Sequence, residues 1–164
     1  IIQHSEDPLI IQNGLMHEGW ISKQLGIPGS PAVSESSLVE RDIEIAERAE
    51  GILHIAHVSS LLTLEHLERA KGRGIKISAE VTPHHLVFTH DSLLGQRGFN
   101  FGWPNVDKRS NLFRVNPPLR DKMDTEALID ALKSGLIDIV ATDHAPHALE
   151  DKQGRFDRSI LLRP

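Results

Sequence analysis

The sequence contains no cysteine. That removes disulfides, thiolate zinc sites and cysteine nucleophiles together. Tyrosine is absent as well, and aromatic residues make up only 4%, too few for the stacked platforms that grip single-stranded nucleic acid. There is no basic excess: 18 Lys and Arg stand against 23 Asp and Glu, for a net charge of −5 and a pI near 6.0. A nucleic-acid or anionic-membrane surface needs a basic patch, so this balance argues against both. No apolar run approaches the roughly 18 residues of a membrane span, and the first residues have no signal-peptide shape, so a cytoplasmic protein is expected. What is present is a chain of 164 residues, 39% hydrophobic, with ten histidines. That is enough for one domain with a real core.

Short β-rich runs alternate with helical ones. Ile1 to Gln3 reads as the end of a strand, Ile52 to Val58 as a second, Ile75 to Val81 as a third and Leu136 to Thr142 as a fourth. Between them, Ser37-x-x-Glu40 resembles a capping box opening a helix that Gly51 stops. Further helices are predicted over Leu61 to Lys71 and Thr125 to Ser134, the last closed by Gly135. Strands alternating with helices of this length imply βαβ units and a parallel sheet, an α/β fold. Gly26 to Ser34 and Gly95 to Asn111 read as loops, the second long enough to be functional or mobile. The opening in mid-strand, and the lack of periodicity from Arg155 to Pro164, give the expectation of a piece of a longer polypeptide.

The chemistry-bearing residues fall at the carboxyl ends of the predicted strands: His4, His57, Thr82-Pro83-His84-His85 and Asp143-His144-Ala145-Pro146-His147. By alternation Leu53, Ile55 and His57 share a face, as do Ile137, Ile139, Ala141 and Asp143. Ligands bind at such strand ends in α/β proteins. Two imidazoles and a carboxylate meeting there are either zinc ligands or separate hydrogen-bonded residues capping their strands, and composition does not choose between them. Pro83-His84-His85 reads as a turn former. His17, His66 and His90 read as solvated surface, His54 as packing or a partner to the site, and the acidic stripe from Glu35 to Glu50 as a solvated helix face.

Thr142-Asp143-His144-Ala145-Pro146-His147, preceded by Asn116-Pro117-Pro118-Leu119-Arg120 and Glu80-Val81-Thr82-Pro83-His84-His85, resembles the dihydroorotases. The likeness is to the bacterial class related to hydantoinases and allantoinases in the amidohydrolase superfamily. His54-Ile55-Ala56-His57-Val58-Ser59, and Gly26-Ile27-Pro28-Gly29 with Arg41-Asp42, fit the same order. The resemblance implies a partial TIM-type (β/α)8 barrel, its strands five to eight, over residues 1–151, with residues 152–164 unassigned. It implies one or two zinc ions in a complete site, with His4 and His57 ligating the second and Asp143 ligating the first while serving as general acid/base. Asn116 and His147 would hold the substrate. The reaction implied is reversible cyclisation of N-carbamoyl-L-aspartate to L-dihydroorotate in pyrimidine synthesis, for which zinc would lower the pKa of the attacking water.

The family's first-strand His-x-His pair, its neighbouring arginine and its bridging fourth-strand ligand are missing, and all would lie upstream of Ile1. The segment from Gly95 to Asn111 is longer than the family pattern, and beyond Asp151 the match fades. The expectation is therefore a half-barrel that binds zinc weakly, turns over no substrate alone, and has two open sheet edges favouring association. Homo-oligomers and aspartate transcarbamoylase are the expected protein partners. An allantoinase or hydantoinase is the alternative within the same chemistry. A non-catalytic homologue serving as structural partner of aspartate transcarbamoylase is the alternative outside it.

Overall fold

A computed structural model of the chain describes residues 1–94 and 113–146. Its framework is a parallel sheet of four short strands, β1 (Ile2–Gln3), β4 (Leu53–Ile55), β5 (Ile77–Val81) and β6 (Ile139–Val140), in that spatial order. The register pairs Ile2 with His54, Leu53 with Ile77 and Glu80 with Ile139. These are the four predicted strands, each trimmed to its hydrogen-bonded centre. Three helices cross over between them: α3 (Val33–Arg48), α4 (Leu61–Gly72) and α6 (Lys122–Ser134). They bury one sheet face, where Val39, Ile43, Leu53, Ile55, Leu67, Val81, Leu128 and Ile137 form the core. The other face carries a polar row. His54 Nδ1 meets Ser78 Oγ at 2.8 Å and His54 Nε2 meets Glu80 Oε2 at 3.1 Å, so His54 is a cross-strand clamp.

The connection from β1 to α3 holds more structure than its sequence suggests. It contains α1 (Pro8–Ile11), β2 (Met16–His17), α2 (Trp20–Leu25) and β3 (Gly29–Ser30). β2 and β3 pair in parallel as a separate two-stranded sheet, so the segment from Gly26 to Ser34 is a loop only in part. Met16, Ile21 and Leu93 form a second small core beneath it. Backbones pass very close here: a Cβ on Gly29 would lie 2.7 Å from the Cα of Glu18, which only glycine tolerates.

Helix ends differ from the sequence reading at two places. α3 begins at Val33, so Ser37 lies inside the helix and caps nothing; Ser34 Oγ instead donates to the Pro31 carbonyl at 2.7 Å. The chain leaves α3 through Glu50 at φ 51° rather than through Gly51. α6 starts three residues early because Asp121 Oδ1 accepts from Asp124 N–H at 3.1 Å. After Val81, α5 (Pro83–Val87) and a 3-10 helix (His90–Leu94) follow; Pro83 therefore opens a helix, with Thr82 as its N-cap.

The acidic stripe on α3 is not uniformly solvated. Glu40, Glu44, Glu47 and Glu50 are exposed, but Glu35 is 3% exposed. It accepts from Ser59 N–H at 3.1 Å and Thr63 Oγ1–H at 2.6 Å, and from the Ser59 and Ser60 hydroxyls. Arg120, 2% exposed, faces it with Nη2 at 3.6 Å from Oε2. Arg120 Nε also donates to Ser59 Oγ at 3.0 Å and Nη1 to the Ser30 carbonyl at 3.1 Å. One buried ion pair thus ties α3, the turn after β4, β3 and the segment before α6.

Removing one member of such a pair strands a buried charge. Arg120→Met is expected to lower stability by about 3–5 kcal/mol. Arg48→Met, which removes an exposed pair with Glu44, should change it by less than about 1 kcal/mol. Urea denaturation of the two variants checks the contrast, and equal losses would refute it.

Candidate active site

Of the sequence-chosen residues, His4, His57 and Asn116 meet at the carboxyl end of the four-stranded sheet. His4 follows β1 directly and His57 follows β4 by two residues. His4 Nδ1 lies 2.8 Å from His57 Nε2, and the rings meet edge to face with centroids 4.6 Å apart. Strand alternation does not hold at His57. Leu53 and Ile55 face the helices, and β4 ends at Ile55; His57 then takes φ 36°, which carries its ring out of the strand pattern to His4. Asp143, exposed beyond β6, takes φ 46°. Only four described non-glycine residues have positive φ, and two of them are His57 and Asp143. Such conformations cost about 1–3 kcal/mol each and persist where the surroundings enforce them.

Glu6, given no role by the sequence, organises the pair. Its Oε2 lies 3.3 Å from His4 Nε2 and accepts from Asn116 Nδ2–H at 3.1 Å. Asn116 Nδ2 also lies 3.3 Å from His4 Nε2, so the predicted substrate-holding amide is at the site. Burial alone would raise the Glu6 pKa. Hydrogen bonds from His4 and Asn116, and the charges of His4 and Arg120, outweigh it and hold the carboxyl below its ordinary range. Glu6 as carboxylate accepts a hydrogen bond from His4 Nε2–H. His4 Nδ1 then accepts from His57 Nε2–H, which leaves His57 Nδ1 a bare lone pair. That atom is buried and has no hydrogen-bond partner among the described residues.

The segment carrying Asn116 is anchored from below by His85. This ring is 2% exposed; its Nε2–H donates to the Pro117 carbonyl at 3.0 Å and its Nδ1 accepts from Thr82 Oγ1–H at 2.7 Å. It does more than shape a turn. His84 stands half-buried beside it, with ring centroids 4.5 Å apart. Burial lowers the pKa of both His57 and His84, and the charge of Asp143 opposes the shift in each. Asp143 is therefore within electrostatic reach of both imidazoles. His147 lies outside the described residues, as do the long segment from Gly95 to Asn111 and the tail 152–164.

The donor set fits a zinc ion in part. Two imidazole ligands of a tetrahedral ion have nitrogens about 3.3 Å apart, and His4 Nδ1 and His57 Nε2 already face each other at 2.8 Å. Asp143 does not close on them: the group of three ligand atoms within 4.8 Å of one another, among the described residues, is His17, Asp121 and Asp124. His17 and His90 are also not solvated surface. Their ring centroids lie 5.1 Å apart and His90 is 5% exposed, because the β2–β3 sheet folds His17 against the start of α6.

No family model matches the chain. Its sequence is 41% identical over 156 residues to a dihydroorotase of Enterococcus faecalis, covering 95% of this chain and 34% of that protein. It is 43% identical over 159 residues to dihydroorotases of Staphylococcus aureus and Bacillus cytotoxicus, covering 97% of this chain and 34% of each. The chain thus spans about a third of the length of the curated relatives it matches. Among solved structures it resembles the dihydropyrimidinase of Brevibacillus agri, with a TM-score of 0.74 and 21% identity over 96% of this chain and 34% of that one. It also resembles a D-hydantoinase of a Thermus species, with a TM-score of 0.71 and 25% identity over 92% of this chain and 31% of that one. The fold is that of part of an amidohydrolase TIM-type barrel. Among the described residues no helix is long and apolar enough to cross a membrane.

Burial sets a pH dependence. His17 is pushed down to about 4, first by burial and then by Arg120 and His90, against Asp121. His57, His84, His85 and His90 are lowered too, each chiefly by burial. The unfolded chain takes up these protons near pH 6.5, before the folded chain does, so stability is full above that pH and falls as pH drops toward 4. The urea midpoint should decline across this window, less so in His17→Asn. A flat midpoint would contradict the burial of these rings.

Proposed function

We propose, the chain being related in sequence to the dihydroorotases of the amidohydrolase superfamily, that it supplies part of the active site of a cyclic-amide hydrolase. The reaction is the interconversion of L-dihydroorotate and N-carbamoyl-L-aspartate, a step of pyrimidine synthesis. The observation that supports this best is the meeting of His4 and His57 at 2.8 Å, with strained Asp143 coupled by charge to His57. His4 and His57 meet at two strand ends, and Asp143 beyond a third lies within electrostatic reach of His57, at the end where an α/β barrel does its chemistry.

His4, His57 and Asp143 would hold zinc. When bound, the metal lowers the pKa of water and polarises the scissile carbonyl. The remaining steps belong to the chain. Asp143, exposed beyond β6, accepts a proton from the attacking water as oxygen bonds to the carbonyl carbon. It then delivers that proton to the ring nitrogen as the C–N bond breaks. Asn116 holds the ring by its amide, with His147 as a second substrate contact. Glu6 fixes the positions of both His4 and Asn116. Burial favours the neutral forms of His57 and His84; the proton on His57 Nε2 would have to move to Nδ1 before that nitrogen bound a metal.

A hydantoinase-type cyclic amidohydrolase is the second reading, favoured by the solved structures that share this fold. The higher sequence identity to dihydroorotases weighs the other way. A non-catalytic partner of aspartate transcarbamoylase is disfavoured by the presence of His4, His57 and Asp143 together. Residues 1–164 alone should turn over nothing, since β1 and β6 both end the sheet and two imidazoles with one carboxylate make an incomplete site.

The test uses the full-length polypeptide that carries this segment. Hydrolysis of L-dihydroorotate should fall about 10²–10⁴-fold in kcat for Asp143→Asn, and Asn116→Ala should chiefly raise KM. Asp143→Gly, relieved of its positive φ, should be as stable as the parent or up to about 1 kcal/mol more so, while equally inactive. Turnover of hydantoin in preference to dihydroorotate would favour the second reading, and an active Asp143→Asn would overturn the assignment of that residue.

A further inference from the structure

His17, Asp121 and Asp124 place one ligand atom each within 4.8 Å of one another. They come from different elements: His17 ends β2, Asp121 is the N-cap of α6, and Asp124 stands in its first turn. Each carboxylate already spends one oxygen on the backbone. Asp121 Oδ1 accepts from Asp124 N–H at 3.1 Å, and Asp124 Oδ1 from Leu61 N–H at 2.8 Å. Each keeps its other oxygen for a further partner. A separate observation lies beside that group, outside the 4.8 Å that His17, Asp121 and Asp124 share. His90 is 5% exposed, and its Nδ1 is buried without a hydrogen-bond partner among the described residues. Its ring lies 5.1 Å from that of His17, and its backbone N–H donates to the Arg120 carbonyl, next to Asp121, at 2.8 Å.

We propose that His17, His90, Asp121 and Asp124 form a site for one divalent transition-metal ion, separate from the residues at the strand ends. Two imidazoles and two carboxylates are a ligand set suited to zinc or cobalt. Two carboxylates beside two imidazoles bring negative charge that a divalent ion would offset. Arg120 is the opposing charge. It is countered by Glu35 and stands 3.4 Å from His17 Nδ1. The ion would pin β2 and the 3-10 helix to the start of α6, so its effect is on stability rather than on the reaction.

The probe is Co²⁺, titrated into the chain and followed by visible absorption and by metal retained after gel filtration. The parent is compared with Asp121→Asn, which preserves the helix cap, with His90→Gln, and with His57→Gln. Loss of even an outer-sphere partner weakens a metal site about 10–100-fold. Asp121→Asn and His90→Gln should therefore each lose one equivalent of Co²⁺ or bind it at least about tenfold more weakly. His57→Gln should retain that equivalent. Equal stoichiometry and affinity in the parent and in both Asp121→Asn and His90→Gln would overturn the proposal. So would loss of the same equivalent in His57→Gln, because the ion would then sit at the strand ends. Should either of the first two variants fail to fold by circular dichroism, the other carries the test.

Discussion

The buried pair of Glu35 and Arg120 is the constraint on which the rest of the molecule hangs. Burying two charges is costly, and their attraction offsets that cost only when every remaining donor and acceptor is satisfied. Glu35 meets the condition through Ser59, Ser60 and Thr63, and Arg120 through Ser59 and the Ser30 carbonyl. Glu35 also lies in the first turn of α3, where the helix dipole favours a negative charge. These partners belong to four chain segments, so the pair is a statement about register as much as about energy. Ser59 is two residues from His57, and Arg120 four from Asn116. Holding one pair in place therefore sets the distance between two parts of the site.

That placement lets the strained residues persist. Positive φ at His57 and at Asp143 would relax if the segments after β4 and β6 were free. After β4 the chain is fixed at once by Ser59 on Glu35 and by Ser60 capping α4. His57 is caught between that anchor and the strand, and its ring is turned toward His4. Strain and stability thus sit side by side, the ordinary arrangement at reactive centres.

The sheet was legible in the sequence because its strands are runs of β-branched residues bounded by polar strand ends, and α4 matched its predicted span almost to the residue. That His4 and His57 follow strand ends was legible by position, but their 2.8 Å contact was not. Glu35 was not: with Glu40, Glu44 and Glu47 it forms a regular stripe, and its burial is decided by Arg120, far along the chain. His17 and His90 were misread as surface for a similar reason. The sheet that tucks His17 away has strands of two residues, too short to leave a periodic signal. Glu6 could have been suspected from its spacing two residues after His4, but nothing local says that Asn116 would join it. Alternation failed at His57 because it presumes the strand continues, and β4 stops two residues before.

Arg120 has a further consequence, which runs through the titrating groups around it. Its charge is among the causes that lower His17 and His85 and that keep Glu6 ionised. Burial is the larger cause for both rings, but burial alone does not set the sign for a carboxylate: it would neutralise Glu6. A fixed buried cation acts in one direction on every neighbour, favouring bare imidazoles and charged carboxylates. Those are the forms that bind metal ions, because a ligand must give up its proton first. The same guanidinium that locks α3 to the segment before α6 therefore biases Glu6 toward its charged form and His17 and His85 toward their neutral forms, while it opposes a cation placed beside it. A neutral hydrogen-bonding residue in its place could hold the backbone but would not exert that bias.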